Sequence, residues 1–553
     1  MFTRSSILVF LVCFLGSLPV WAGGPTGSGE AFPEGFRWGT FLSAHAVEGN
    51  HLNDWTLWES QPGKIADGSV SGAAVNHWEL FPEDIAWMKK LGQNAALLSL
   101  EWSRLQPAKG GLDPAAVQNY RTRFATMRQH GIVPIVILWD RTLPQWVAAY
   151  GGLLMPGIIT DFQDYATQCA QAFGDLVDHW VTLRDPNGFL VKAFKDGKFP
   201  PGLSDVKYLG LATVNLIGMH RAAWQALKTT DQTSPTGVPP AQVGVLVSMK
   251  WVRPHRPNHP MDVTVARTTD LVGAWSFLDP IMQGDLLENA PPPASGQAQK
   301  GKSLPAPGQS GTINGAPPAS PKGVPETPPL PPATQAPPSY ANRRADFIIV
   351  AYQGLAEVKF NVLQALSVEK IIPPGAQLDD EGQIIFPEGL TNVLLSLRKY
   401  PVPIFAMVGL ADATGQKRAA FLIDHVRQAR AALVQGCPLR GFFYDGLLAG
   451  FEYDRGFALK KGLLNVNTRI QERKPAPGAE IFRALATSNG ASDAPMRMKR
   501  PKAPATAPAA PPTPAATDPG AELPPTPAPG APPEGIPTDS TAADPDGVEP
   551  APQ

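Results

Sequence analysis

The sequence predicts an α/β protein, a (β/α)8 TIM barrel carrying a disordered Pro-rich insertion and a disordered Pro/Ala-rich C-terminal tail. Three observations lead there: eight short apolar runs of strand length, helical periodicity between them, and 553 residues, enough for one barrel with chain to spare. The runs are Phe36 to Ala44, Ala95 to Glu101, Ile132 to Leu138, His179 to Arg184, Gln242 to Lys250, Asp346 to Tyr352, Val402 to Met407 and Gly441 to Leu447. Strands that alternate with helices pair in parallel, and eight of them suggest closure into a barrel.

In chain order, Arg4 precedes an apolar run from Ile7 to about Val20, and Val20, Trp21 and Ala22 have the small-residue spacing of a signal-peptidase site. Residues 1–22 are expected to be a cleaved export signal, because the run is shorter than the ~20 apolar residues that span a bilayer. The expected location is periplasmic or extracellular, with no membrane span after cleavage. Residues 23–289 hold strands one to five. Within them, Pro82 to Leu91 sets Ile85, Met88 and Leu91 on one helical face and stops at Gly92. Thr160 and Gln163 read as a capping box ahead of Phe162, Tyr165, Ala166, Cys169 and Phe173. Signal removal leaves Cys169 and Cys437, expected as free thiols rather than a disulfide framework.

Residues 290–341 are dense in Pro, Gly, Ser and Ala and cannot bury enough surface to offset chain entropy, so a disordered insertion is expected between strands five and six. Strands six to eight follow in residues 342–487. The tail, 488–553, starts basic (Arg497, Lys499, Arg500, Lys502) and ends acidic (Asp518, Glu522, Asp539, Asp544, Asp546, Glu549). It reads as a solvated spacer, with a contact arm for the cell envelope as the functional alternative.

Net charge is −1 and no basic block dominates, which removes nucleic acid from the expected partners. His255 and His259 are four apart, but Pro254, Pro257 and Pro260 preclude a helical ligand face, and no phosphate-cradling Gly loop occurs. No metal and no other cofactor is expected.

The stretches Phe32 to Thr40, Val47 to Gly49, Glu101 to Leu105, Leu143-Pro144 with Trp146, Trp180 to Thr182, Asp185 to Asn187, Trp275 to Pro280 and Phe386 to Leu390 together resemble the family 1 glycoside hydrolases, the β-glucosidase family. The resemblance covers roughly four hundred residues. It implies a retaining glycosidase, with an acid/base carboxyl and a nucleophilic carboxylate ~5 to 5.5 Å apart. Both positions are degenerate here. The family's Thr-Phe-Asn-Glu-Pro-Asn stands as Thr182, Leu183, Arg184, Asp185, Pro186 and Asn187, so the acid/base Glu is Asp185, roughly 1.5 Å shorter in reach. Around the nucleophile, Pro403, Ile404, Phe405, Gly409, Ala411 and Asp412 fit the family's Pro-Ile-Tyr-Ile-Thr-Glu-Asn-Gly-Ile-Ala-Asp. Met407 and Val408 occupy the Thr-Glu-Asn region, one residue short.

The same resemblance implies that the sugar-gripping set has eroded. Leu97 stands for an Arg, Ala46 for a Gln after His45, Asp140 for a His, and Ala351 for an Asn beside the surviving Tyr352. Asp445 stands for a Trp, Ala449-Gly450 for Asp-Asn and Tyr453 for a second Trp, while Glu452 remains. The leading expectation is an exported pseudoenzyme that takes a β-linked glycan or glycoside through Trp139, Asp140, Arg184, Tyr352, Asp445, Glu452 and Tyr453. Trp139, Trp146 and Tyr453 would be the stacking aromatics. An active β-glycosidase is the alternative: Asp185 with Asp140, Asp445 or Glu452 at the ~6.5 to 9.5 Å spacing that suits inversion, and Asp412 swinging in. Against it, Arg184 beside Asp140 or Asp185 would lower their pKa values and make them poor acids. A structural or interaction protein of the cell envelope is the third reading.

Overall fold

The computed structural model describes residues 31–232, 241–283, 343–364 and 368–491. The expected export signal, the Pro-rich insertion and the tail beyond residue 491 lie outside the described residues.

The strands are β1 Arg37–Leu42, β2 Ala95–Ser99, β3 Val133–Trp139, β4 His179–Arg184, β5 Gln242–Pro254, β6 Phe347–Phe360, β7 Val368–Ile371, β8 Ile404–Val408 and β9 Leu439–Tyr444. Eight of them pair in parallel in the order β1-β2-β3-β4-β5-β6-β8-β9. The ring closes where Arg37 to Thr40 of β1 lie opposite Gly441 to Tyr444 of β9. The (β/α)8 barrel is therefore complete, and β7 is an antiparallel addition to the far end of β6.

Period-2 alternation separates the two cores. Phe41, Leu97, Ile135, Ile137, Val181, Leu246, Ile349, Met407 and Phe443 fill the barrel interior, whereas Leu98, Val136, Val350 and Ala406 face the helices. Leu97 sits in register between Phe41 and Ile135, fully buried among hydrocarbon. Truncating it to Ala would cost about 2–5 kcal/mol. At Gly39 a Cβ would stand 2.3 Å from the carbonyl oxygen of Ala95, so the close approach of β1 to β2 requires glycine there.

Four sequence expectations are corrected. The helix read as starting at Pro82 spans His77–Lys90, because a kink at Leu80 (φ −96°, ψ 16°) absorbs the proline ring inside the helix. The helix read as capped by Thr160 spans Gly157–Phe173 after Pro156, so Thr160 and Gln163 lie within it. β5 and β6 run on to Pro254 and Phe360, where Val252 and Val358 pack with Val265 and Ala266 in a small separate core. The folded chain also passes Ser488: Asn489 accepts from the Trp38 indole N–H (2.9 Å) and donates to the Phe32 carbonyl (2.6 Å).

Cys169 and Cys437 are buried free thiols. Among the described residues no helix is long and apolar enough to cross a membrane.

Candidate functional site

The C-terminal ends of the barrel strands and the loops that follow enclose a cleft of about 190 Å³. Active sites of such barrels occupy this face. Of the residues expected from sequence, Arg184, Asp185, Tyr352, Val408, Asp445, Glu452 and Tyr453 line it. Asp140 lies beneath it as a buried partner of Arg184. Trp139 does not face it: the end of β3 turns this indole onto Phe189, edge-on at 5.2 Å, and it is 1% exposed. Trp146 lines a separate surface groove with Gln106 and Gln168.

Asp185, at the acid/base position that the sequence resemblance implies, is held as a helix cap. Its backbone is left-handed (φ 49°, ψ 52°), and it caps the helix Pro186–Leu190. One carboxylate oxygen accepts from the Gly188 amide at 3.2 Å and the other from Arg141 Nη2 at 2.9 Å. A Cβ at residue 188 would stand 2.3 Å from that carboxylate, so Gly188 is what lets the short side chain fold back onto the helix N-terminus. Both oxygens are committed to protein donors.

Val408 ends β8 with a hydrocarbon, 1% exposed, in register with Tyr352 and Tyr444. Asp412, expected to be able to swing in, is fixed elsewhere. Its oxygens accept from the amides of Gly415 (2.9 Å), Lys417 (2.9 Å) and Arg418 (3.0 Å) at the start of the helix Arg418–Val434.

The remaining charges neutralise one another. Arg184 donates to Asp140 at 3.0 Å and reaches Asp445 at 4.0 Å. Burial alone would raise the Asp140 pKa, but Arg184, Arg141 and the Ser43 hydroxyl (2.6 Å) outweigh it and hold the carboxyl below its ordinary range. Burial disfavours a charged Arg184, yet Asp140 and Asp445 push its pKa up, so it stays a cation. Lys461 bridges Glu381 (2.9 Å) and Glu452 (3.3 Å). Burial raises Glu452, with Asp445 and Glu381 adding to that effect against Lys461. Burial would raise Glu381 as well, but Lys461 together with Lys192 and Arg455 outweighs it and the pKa falls.

Tyr453 is packed rather than presented. Its hydroxyl lies 2.8 Å from Ser43 Oγ, and its ring meets Trp55 edge-on at 4.9 Å. The Tyr352 hydroxyl donates to the Phe386 carbonyl at 2.6 Å.

Sequence reasoning missed Glu381, Lys461 and Lys192. Lys192 lies in the helical turn Val191–Lys195 and the other two in loops, with no motif around them to mark them, and only the closure of the barrel brings them to the cleft. The cleft thus gathers Asp185, Asp379, Glu381, Asp445 and Glu452 against Arg141, Arg184, Lys192 and Lys461. Such a surface can hydrogen-bond a polyhydroxy ligand. Among the described residues, the grouping with metal-ligand spacing, His45, His51 and Glu101, lies outside this lining.

Comparison with known proteins gives a single answer. The model for the family described as glycosyl hydrolase family 1 matches residues 28–302 and 349–491. The chain is 27% identical to raucaffricine-O-β-D-glucosidase of Rauvolfia serpentina over 504 residues, covering 79% of this chain and 87% of that protein. It is 26% identical to β-glucosidase A of Acetivibrio thermocellus, covering 83% and 99%. In fold it is similar to the family 1 β-glucosidase of Thermotoga maritima, with a TM-score of 0.69 at 22% identity over 83% of this chain and 99% of that one.

Proposed function

This chain belongs to glycosyl hydrolase family 1, and we propose that it is an exported member that has lost hydrolysis and keeps its cleft for binding a β-linked glycan or glycoside. One observation carries the reading: the strand on which the resemblance sets the nucleophile ends in the buried hydrocarbon of Val408, which cannot form a glycosyl-enzyme bond. Asp185 supports it, since its oxygens are taken by Arg141 and Gly188. A lone general acid contributes ~100 to 10,000-fold, far below the 10⁶-fold or more expected of an enzyme. The ligand class follows from the names of the relatives, which are β-glucosidases, and from a cleft still open and polar. Export rests on Arg4, the apolar run after it and Ala22.

A second reading has its own support. Burial raises the pKa of Glu452, as a general acid requires, and also that of Asp379 elsewhere in the lining; Asp445 is the carboxylate neighbouring Glu452. An enzyme built on that pair would be an O-glycosyl hydrolase with a rewired site.

Titrating the purified chain with β-linked disaccharides in a calorimeter, and recovering the ligand afterwards, separates these readings. Saturable binding with intact sugar recovered is expected. Recovery of monosaccharide would overturn the proposal in favour of the Asp445 and Glu452 pair.

A further inference from the structure

Just after β1, the short helix Ala44–Val47 carries His45, the loop beyond Gly49 carries His51, and Glu101 follows β2. From these three we infer a divalent transition-metal site with a structural role, in the wall behind the cleft.

The geometry fits an ion. His45 Nδ1 lies 3.1 Å from His51 Nε2, and His51 Nε2 lies 3.7 Å from Glu101 Oε2. All three ligand atoms fall within 4.8 Å of one another. A tetrahedral ion with metal–nitrogen bonds of about 2.0–2.1 Å separates its ligands by about 3.4 Å, and the two measured separations bracket that value. The side chains of His45, His51 and Glu101 are at most 2% exposed.

The outer atoms of both rings face acceptors. His45 Nε2 points at Glu59 Oε2, 3.5 Å away, and Glu59 is itself held by the Ser71 amide (3.0 Å) and hydroxyl (2.6 Å). His51 Nδ1 lies 3.1 Å from the Gly49 carbonyl. Protons on those outer nitrogens leave the inner nitrogens, 3.1 Å apart, free to act as ligands, an arrangement in which carboxylates and carbonyls orient metal-bound imidazoles. His45 Nε2 and Glu59 Oε2 are also buried without a hydrogen-bond partner at ordinary distance.

Charge points the same way. Glu59 and Glu101 are buried carboxylates whose ion-pair partners among the described residues are imidazoles alone. The nearby guanidinium groups of Arg104 and Arg123 are bound to Glu48, at 3.2 and 2.7 Å. Buried carboxylates require compensation, and one divalent ion supplies it for both. Two imidazoles and a carboxylate suit zinc and its first-row neighbours, with a fourth position left for water. The sequence expectation of no metal rested on His255 and His259, which instead pair with Glu357 and Asp262. The three ligands proposed here come from separate segments and form no short motif.

The competing arrangement needs no ion: His45 Nδ1 accepts from His51 Nε2–H (3.1 Å) or from Asn53 Nδ2 (3.2 Å), Glu101 accepts from Asn53 Nδ2 (3.4 Å) and the Ser103 and Thr142 hydroxyls (2.6 and 3.1 Å), and Arg104 Nη2, 3.2 Å away, donates to His51 Nδ1. Full-length protein stripped with a chelator and titrated with Co²⁺, then Zn²⁺, decides between them. Stoichiometric uptake with visible Co²⁺ d–d absorption is expected, lost in His51→Ala and kept in a His255→Ala/His259→Ala double variant. Glu59→Gln touches no ligand atom of the ion and should weaken affinity ~10 to 100-fold without changing the circular dichroism. Absence of stoichiometric uptake by the unaltered chain would overturn the inference. So would uptake that is unchanged in Glu59→Gln or lost in the surface double variant, and these arms remain decisive if His51→Ala does not fold.

Discussion

Arg184→Ala removes the cation that compensates Asp140, and its cost can be worked from the site. Asp140 is 4% exposed and Arg184 7%, so the variant leaves a buried carboxylate without its 3.0 Å partner. Breaking a buried pair from one side costs about 3–5 kcal/mol. Asp140 keeps the Ser43 and Ser99 hydroxyls at 2.6 and 3.2 Å and the nearby charge of Arg141, which places the expected loss near about 3 kcal/mol. The loss should depend on pH with a definite sign. In the unaltered protein the Asp140 pKa lies below its ordinary value, so its stabilisation is present above the unfolded value of about 3.9 and disappears as pH falls through the folded one. In the variant the folded pKa moves up, and protonation relieves the penalty. Urea unfolding of both proteins should therefore show a gap of about 3 kcal/mol at pH 7 that narrows on acidification. Adding Asp140→Asn should recover part of it. A gap below about 1 kcal/mol, or one independent of pH, would refute the assignment of Arg184 as the partner that makes Asp140 tolerable.

Other outcomes follow from single contacts. Val408→Glu, with or without added azide or formate, should restore no turnover, because Ala46, Asp140 and the folded-back Asp185 also remove the grip on a sugar; turnover restored by that one change would place the whole defect at 408. Burial depresses the His220 pKa to about 4 between the Thr182 hydroxyl and the Arg344 carbonyl. Its stabilisation is complete above about pH 6.5 and is lost on acidification towards pH 4, by up to about 3 kcal/mol, and His220→Gln should flatten that part of the stability profile. Truncation after Ala491 should leave the melting temperature unchanged. Asn489→Ala should lower it, by a stability loss of about 1–3 kcal/mol, since the Trp38 indole N–H would lose its acceptor; a large loss on truncation would assign the tail a packing role.

The barrel was legible because each strand is an apolar run bounded by helical patterns, a signal that survives divergence. Where propensity met tertiary packing it misled. Pro82 reads as a helix start until the Leu80 kink is seen, and β5 and β6 continue past Lys250 and Tyr352 because Val252 and Val358 find partners that no local pattern announces. The cleft lining was legible where a residue sits at or just past a strand end, as at Asp185, Val408 and Asp445. Orientation was not: Trp139 turns to the core, Asp140 sinks beneath the cleft, and Asp185 bends back to cap its own helix because Gly188 makes room. Partners from distant loops, such as Lys461 bridging Glu381 and Glu452, are set by the closed fold and leave no trace in local sequence.

The most direct test of the account is the catalytic efficiency of the purified chain on aryl β-glucosides and β-galactosides, measured beside Asp185→Ala and Glu452→Gln. With Val408 at the proposed nucleophile position and Asp185 held by Arg141, turnover should be at or barely above background and unchanged in either variant. A kcat/KM above ~10⁴ M⁻¹s⁻¹ that either substitution abolishes would contradict it.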